Sequence, residues 1–297
     1  MRAGHEVHGV ARAAAGHAHL AGVAALVSMH AIDIADTRAL VELVRTVAPD
    51  RCFHLAADSF IGDDGGDAAA GMNVSSTIAI LETLARHAPH ARFLLAGSAQ
   101  QLAGAASSPQ SERTAPRPVT TYGLAKQLAA EAVAFFRARG LFASAAILYN
   151  HESPRRQARF ISKKLAVAAA EIARARKKTV SVGSLDAVRD WGFAPEYVDG
   201  MVRALDHTEP LDYVFATGIA HTVREMAEAA FASAGLRASD HLVVDDALRR
   251  PAEAVALIGD ATRARDVLGF APRTSLSQLM DIMVAHELAV LDREART

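Results

Sequence analysis

Short apolar, β-compatible runs alternate with longer amphipathic stretches: EVHGVA at 6–11, RCFHLA at 51–56, ARFLLAGS at 91–98, ASAAILYN at 143–150 and DYVFATG at 212–218. Between them lie helical patterns near 37–48, 74–88 and 121–139. Strands separated by helix-length segments pair in parallel, with the helices covering both faces of the sheet, so the pattern predicts a doubly wound α/β architecture. After Asn150 the alternation loosens into a helical stretch at 158–177, whose basic end, ARARKK, reads as a solvated helix face. Thr222-x-x-Glu225, an apolar helix pattern and Gly235 read as a capping box and a helix stop. An amphipathic helix at 276–290 closes the chain, and a smaller lobe is expected to interleave with the sheet domain.

At 297 residues, 51% of them hydrophobic and 22% charged, the chain has enough apolar surface for a substantial core. Lys plus Arg total 32 against 33 for Asp plus Glu, so no long-range field favours nucleic acid or an anionic membrane, and a phosphorylated ligand needs local arginines. The single cysteine, Cys52, rules out an internal disulfide and fits a reducing cytoplasm. No apolar run approaches the roughly 18 residues of a membrane span. The Ala-rich start carries Arg and His without a clear cleavage pattern, so no signal peptide is expected.

Candidate chemistry concentrates in three places. The run ILYNHESPRR at 147–156 ends a buried strand with Asn150, His151, Glu152, Arg155 and Arg156 in one short turn, an arrangement that suits binding. Tyr122-x-x-x-Lys126 lies in a predicted helix, where i, i+4 spacing puts both side chains on one face and lets the ammonium lower the phenol's pKa. Such a tyrosinate can take a proton from a hydroxyl group. Arg189-Asp190-Trp191-Gly192 supplies a third polar cluster. His5, His8, His17 and His19 invite a metal reading, but no Cys, Asp or Glu spacing completes a ligand set, so no metal is expected. His54 and Asp58 read as loop residues.

Taken together, NHESPRR, Tyr122-x-x-x-Lys126 and VRDWG resemble the GDP-mannose 4,6-dehydratase family, nucleotide-sugar enzymes among the extended short-chain dehydrogenases/reductases, over about residues 4–290. The resemblance implies a Rossmann-type parallel sheet, with 1–150 and 212–240 forming the dinucleotide-binding domain and 151–211 (in part) and 241–297 the smaller substrate lobe. It implies NADP, with cofactor contacts from Arg12, Asp33, Ile34, Leu55, Ala56, Ala57, Tyr122, Lys126 and His151. Asn150, Arg155, Arg189, Arg250 and Glu253 are implied to hold a GDP-sugar, since an Arg fork can donate two hydrogen bonds to a diphosphate. A homo-oligomer, dimer or tetramer, in the cytoplasm is implied as well.

Two departures qualify that picture. In the family's S-T-S-E-L-Y-G run, Ala99 stands at the Thr position and Gln101 at the Glu position. Gln101 keeps the shape of the glutamate but cannot accept a proton at usable pH, and loss of one acid/base group typically removes about 10²–10⁴-fold of rate. Ser98, in an extended segment, is expected to point away from the reacting carbon. The start, MRAGHEVHGVAR, resembles the end of the family's first helix and its second strand, so the resemblance implies a chain lacking the first strand and its Gly-rich turn, through a misplaced start codon, as a fragment, or by a purposeful truncation. The expected function is dehydration of GDP-mannose to its 4-keto-6-deoxy product, with dehydration impaired. The alternatives are a GDP-6-deoxy-hexose C4 ketoreductase or epimerase, and a catalytically silent GDP-sugar-binding homologue.

Overall fold

The computed structural model describes residues 4–12, 22–56, 66–248 and 255–296. It comprises two compact units interleaved in sequence. The first is Met1–Gln101, Pro118–Ala146 and His207–Asp212; the second is Leu102–Arg117, Ile147–Asp206 and Tyr213–Thr297.

In the first unit the elements are β1 (His8–Ala11), β2 (Ser28–Ala31), α1 (Thr37–Val47), β3 (Arg51–His54), α2 (Gly66–His87), β4 (Arg92–Ala96), α3 (Thr121–Arg137) and β5 (Phe142–Leu148), the last two residues of β5 belonging to the second unit. β3, β4 and β5 run parallel, with Phe53 opposite Leu94 and Leu94 opposite Ser144. β4 is buried along four of its five residues, which is why it reads as a continuous apolar run. Leu81 and Leu84, one helical turn apart on α2, pack with Phe93, Leu95, Val133 and Leu141 into a core that excludes water. Truncating either leucine to alanine would cost about 2–5 kcal/mol.

β1 pairs in parallel with β2, His8 opposite Ser28, in a two-stranded sheet of its own. β2 was not among the sequence-based strands. SMHA offers no apolar alternation, and none of the eight residues of the pair is fully buried. Among the described residues no strand joins β1 to β3, so the parallel order is interrupted between them.

The second unit contains β6 (Asn150–Glu152), α4 (Ile161–Ala173), β7 (Val180–Val182), β8 (Val188–Arg189), β9 (Trp191–Phe193), α5 (Ala194–Asp206), β10 (Tyr213–Phe215), β11 (His221–Thr222), α6 (Val223–Ser233), β12 (Leu242–Val244), α7 (Thr262–Leu268) and α8 (Leu276–Glu294). The Tyr149 N–H donates to the Phe215 carbonyl at 3.0 Å, continuing the hydrogen bonding of β5 beyond its end. α4, α6 and α8 close over a core that includes Leu165, Trp191, Met226, Phe231 and Met280. The Thr222–Glu225 capping box forms in both directions at the start of α6, and Gly235, at φ 73°, follows the helix. The basic run is exposed, but it lies beyond the end of α4 rather than on a helix face, and Arg174 and Arg176 pair with Asp292 and Glu294 of α8. No helix among the described residues is long and apolar enough to cross a membrane.

Candidate active site

At the C-terminal end of β4, Gly97 has no room for a side chain, because a Cβ would meet the Ala146 carbonyl oxygen at 2.8 Å. The chain then turns through a 3-10 helix at Ala99–Leu102. The segment is therefore not extended, as the sequence reading assumed. The Ser98 hydroxyl instead accepts the Gln100 N–H at 3.2 Å and is committed to its own turn. Ala99 and Gln101 are buried there, and the Gln101 carbonyl Oε1 has no hydrogen-bond partner among the described residues.

Thr120 opens α3 as a cap, its hydroxyl accepting the Gly123 N–H at 3.0 Å. A Cβ on Gly123 would come within 2.5 Å of the Gln100 carbonyl, so this glycine lets the first turn of α3 lie directly on the Ala99–Leu102 turn. Tyr122, the residue before Gly123, is half-buried. Lys126 follows one turn later with its Nζ 5.9 Å from the centre of the Tyr122 ring. Its ammonium is buried and donates to the Ala96 carbonyl at 2.7 Å. Burial lowers the Lys126 pKa to about 8.

His54, expected in a loop, is the buried last residue of β3 and lies 3.2 Å from the Ser76 hydroxyl. Burial, then the Lys126 charge, pushes its pKa down to about 4. Asn73 on α2 is also buried, and neither polar atom of its amide has a partner among the described residues. Of the other residues implied to touch a cofactor, Arg12 and Leu55 are exposed, Ile34 and Ala56 are half-buried, and the exposed Asp33 carboxylate accepts the Ala35 N–H at 2.9 Å. His8 stacks on His30, their ring nitrogens 2.9 Å apart. Ala57, Asp58, His17, His19, Arg250 and Glu253 lie outside the described residues.

In the second unit β6 pairs in parallel with β9, Asn150 opposite Trp191 and His151 opposite Gly192. His151 Nδ1 lies 2.8 Å from the Tyr149 carbonyl, which can only accept, so Nδ1 carries the proton and Nε2 is left as an acceptor. Burial lowers the pKa of this imidazole, which stacks on Tyr197 at 5.4 Å. Glu152 is buried and accepts the Ser162 hydroxyl at 2.6 Å, with Arg156 Nε at 3.1 Å. Arg156 lies flat on Phe160, so of the two arginines in this turn Arg155 is the exposed one. Arg189 ends β8, paired with His221 of β11 and bridged to Leu257.

Next to it, Asp190 is buried and accepts four hydrogen bonds from backbone and hydroxyl groups, a role that sequence reasoning did not assign. Burial raises its pKa, and the bonds from Thr217, Gly218 and Gly259 oppose that rise. An acidic residue set directly between Arg189 and Trp191 was the available signal.

Solved structures show the fold. RMD from Pseudomonas aeruginosa, complexed with NADPH, superposes with a TM-score of 0.82 at 20% identity, covering 96% of this chain and 100% of that one. UDP-glucose 4-epimerase from Thermotoga maritima, with UDP-glucose, gives 0.84 at 20% identity, covering 98% and 93%. The fold is thus the Rossmann-type α/β fold of these enzymes. The family model described as GDP-mannose 4,6 dehydratase matches residues 1–283, and the chain belongs to that family. GDP-mannose 4,6 dehydratase 2 of Arabidopsis thaliana is 35% identical over 277 residues, 91% of this chain and 74% of that protein. GDP-mannose 4,6-dehydratase of Sinorhizobium fredii (strain HH103) is 35% identical over 289 residues, covering 89% and 81%. The Homo sapiens enzyme is 32% identical over 326 residues, covering 98% and 87%.

Proposed function

We propose that this protein binds GDP-mannose and NADP and carries out the C4 redox chemistry of a GDP-mannose 4,6-dehydratase, with the dehydration step weakened. One observation carries the reading: Tyr122 and Lys126 occupy successive turns of one α3 face, with the ammonium buried against Ala96 O. Tyr122 takes the proton of the sugar's 4-hydroxyl as that carbon is oxidised, and the neighbouring ammonium favours the phenolate. When bound, a nicotinamide supplies the hydride acceptor and, later, donor. The donor set of this chain fits such a group. Lys126 spends one of three protons on Ala96 and keeps two for a ribose, and the exposed Arg12 suits an adenosine 2′-phosphate. Asp33, Ile34, Leu55, Ala56, Ala57 and His151 complete the proposed cofactor contacts, and Asn150, Arg155, Arg189, Arg250 and Glu253 the proposed grip on the nucleotide sugar.

Water is then lost across C5 and C6, which requires a base for the C5 proton. Gln101 holds that place with an amide, and Ala99 offers no hydroxyl to the reacting oxygen, which favours as second reading a C4 ketoreductase or epimerase acting on a GDP-6-deoxy-hexose. A silent GDP-sugar binder would show ligand stabilisation without any change in nicotinamide absorbance. Leu124, Leu128 and Phe135, exposed along one face of α3, and Ile78 on α2 support self-association as a dimer or tetramer. The single part-buried cysteine supports a cytoplasmic location.

Thermal shift tests the assignment: GDP or GDP-mannose raises the melting temperature more than UDP-sugars do, and Arg189→Ala removes most of the shift. A UDP preference would overturn the substrate.

A further inference from the structure

The run Ala256–Asp260 is held by two buried polar side chains of the second unit, Gln110 and Asp190. Gln110 clamps it through both backbone and side chain. Its N–H donates to Ile258 O and its carbonyl accepts from Asp260 N, each at 2.8 Å. Its amide donates to Ala256 O at 3.2 Å and accepts from Ile258 N at 3.3 Å. The same Oε1 accepts the Tyr149 hydroxyl at 2.9 Å, so the residue before Asn150 is tied to the run.

Asp190 fastens it from another side. Oδ1 accepts the Thr217 N–H and hydroxyl at 2.9 and 2.6 Å, and Oδ2 accepts Gly218 N–H and Gly259 N–H at 2.8 and 3.3 Å. Four donors converge on one carboxylate with about four lone-pair sites, so every site is used and the group has nothing left to offer a ligand. Gly259 fits between Ala216 and the Tyr149 ring only because it lacks a Cβ, which would meet them at 2.3 and 2.8 Å. Arg189 itself bridges to Leu257 in the middle of the run.

We infer that Asp190 is a positioning residue for nucleotide-sugar binding: with Gln110 it locks Ala256–Asp260 so that Arg189, and Asn150 through Tyr149, are held ready for the GDP moiety. The inference rests on the proposed GDP-sugar reading of this site. An asparagine at 190 could not replace the carboxylate, because its NH₂ would oppose backbone N–H donors on one side.

The test uses the full chain, with GDP titrated by calorimetry and backbone amide exchange followed at Ile258–Asp260. Asp190→Asn is expected to accelerate exchange there and weaken GDP by about tenfold or more. Faster exchange with unchanged GDP affinity, or a lower melting temperature alone, overturns the inference, since a merely structural residue would do just that. If Asp190→Asn does not fold, Thr217→Val keeps the backbone donor but removes the hydroxyl, losing its 2.6 Å bond to Asp190 and the Ile219 N–H it accepts at 3.1 Å, and is expected to move both readouts in the same direction; unchanged affinity again overturns it. Wild-type protein that gives no GDP binding defeats the GDP reading itself and the inference with it.

Discussion

The Lys126 ammonium donates to the Ala96 carbonyl at 2.7 Å, fastening helix α3 to the end of strand β4 through a buried charge. Burial lowers its pKa from 10.5 to about 8, so the charge proposed to assist Tyr122 is lost as pH rises through that value. The proton-abstraction step is expected to show a change near pH 8 that Lys126→Met abolishes, as read from pH–rate profiles. For stability the sign is opposite to that of an ordinary ion pair. From about pH 8 to 10.5 the unfolded chain holds a proton that the folded one has released, so this group makes unfolding harder as pH rises, and its penalty is fully present below pH 8. Urea titrations of wild type and Lys126→Met across that range check this.

Gly123→Ala places a Cβ 2.5 Å from the Gln100 carbonyl, and a backbone atom cannot swing aside. The substitution is expected to cost about 1–3 kcal/mol and to displace Tyr122, lowering turnover more than a remote change of equal cost in stability. Denaturant unfolding set beside a hydride assay separates the two effects.

Arg137 and Asp212 form a paired hydrogen bond at 2.6 and 2.7 Å, and the same carboxylate accepts Ala145 N–H at 2.7 Å. Asp212→Ala leaves a backbone donor of β5 and a part-buried guanidinium without that partner. A loss of about 2 kcal/mol is expected in equilibrium unfolding, with no change in GDP affinity.

Gln101→Glu with Ala99→Thr restores a carboxylate and a hydroxyl at the turn after β4. The double variant is expected to raise conversion of GDP-mannose to its 4-keto-6-deoxy product by about 10²-fold or more, seen by mass spectrometry as loss of water. If wild type already dehydrates GDP-mannose at a rate of order 1 s⁻¹, Gln101 is not the defect and the C5 base lies elsewhere.

Much of this was legible in the chain because the signals were local. β4 shows as an apolar run, α3 as an amphipathic stretch, and the start of α6 as Thr222 three residues before Glu225. What escaped was made by distance in sequence. His54 and Ser76 meet across 22 residues, Lys126 and Ala96 across 30, and Gln110 and Ala256 across 146, and no spacing rule reaches that far. The Ser98 orientation was misjudged for a local reason: alternation holds only while a strand lasts, and β4 stops at Ala96.

The β1–β2 pair contributes no fully buried residue and forms a sheet separate from the one that begins at β3. A two-stranded ribbon is marginal by itself in water, whereas the layer around Phe93 and Leu84 opens only with the whole unit. One melting temperature would therefore describe that interior and say little about the ribbon that bears Arg12 at its end. Heat could release that ribbon, and Arg12 with it, while the circular dichroism of the chain still looked native.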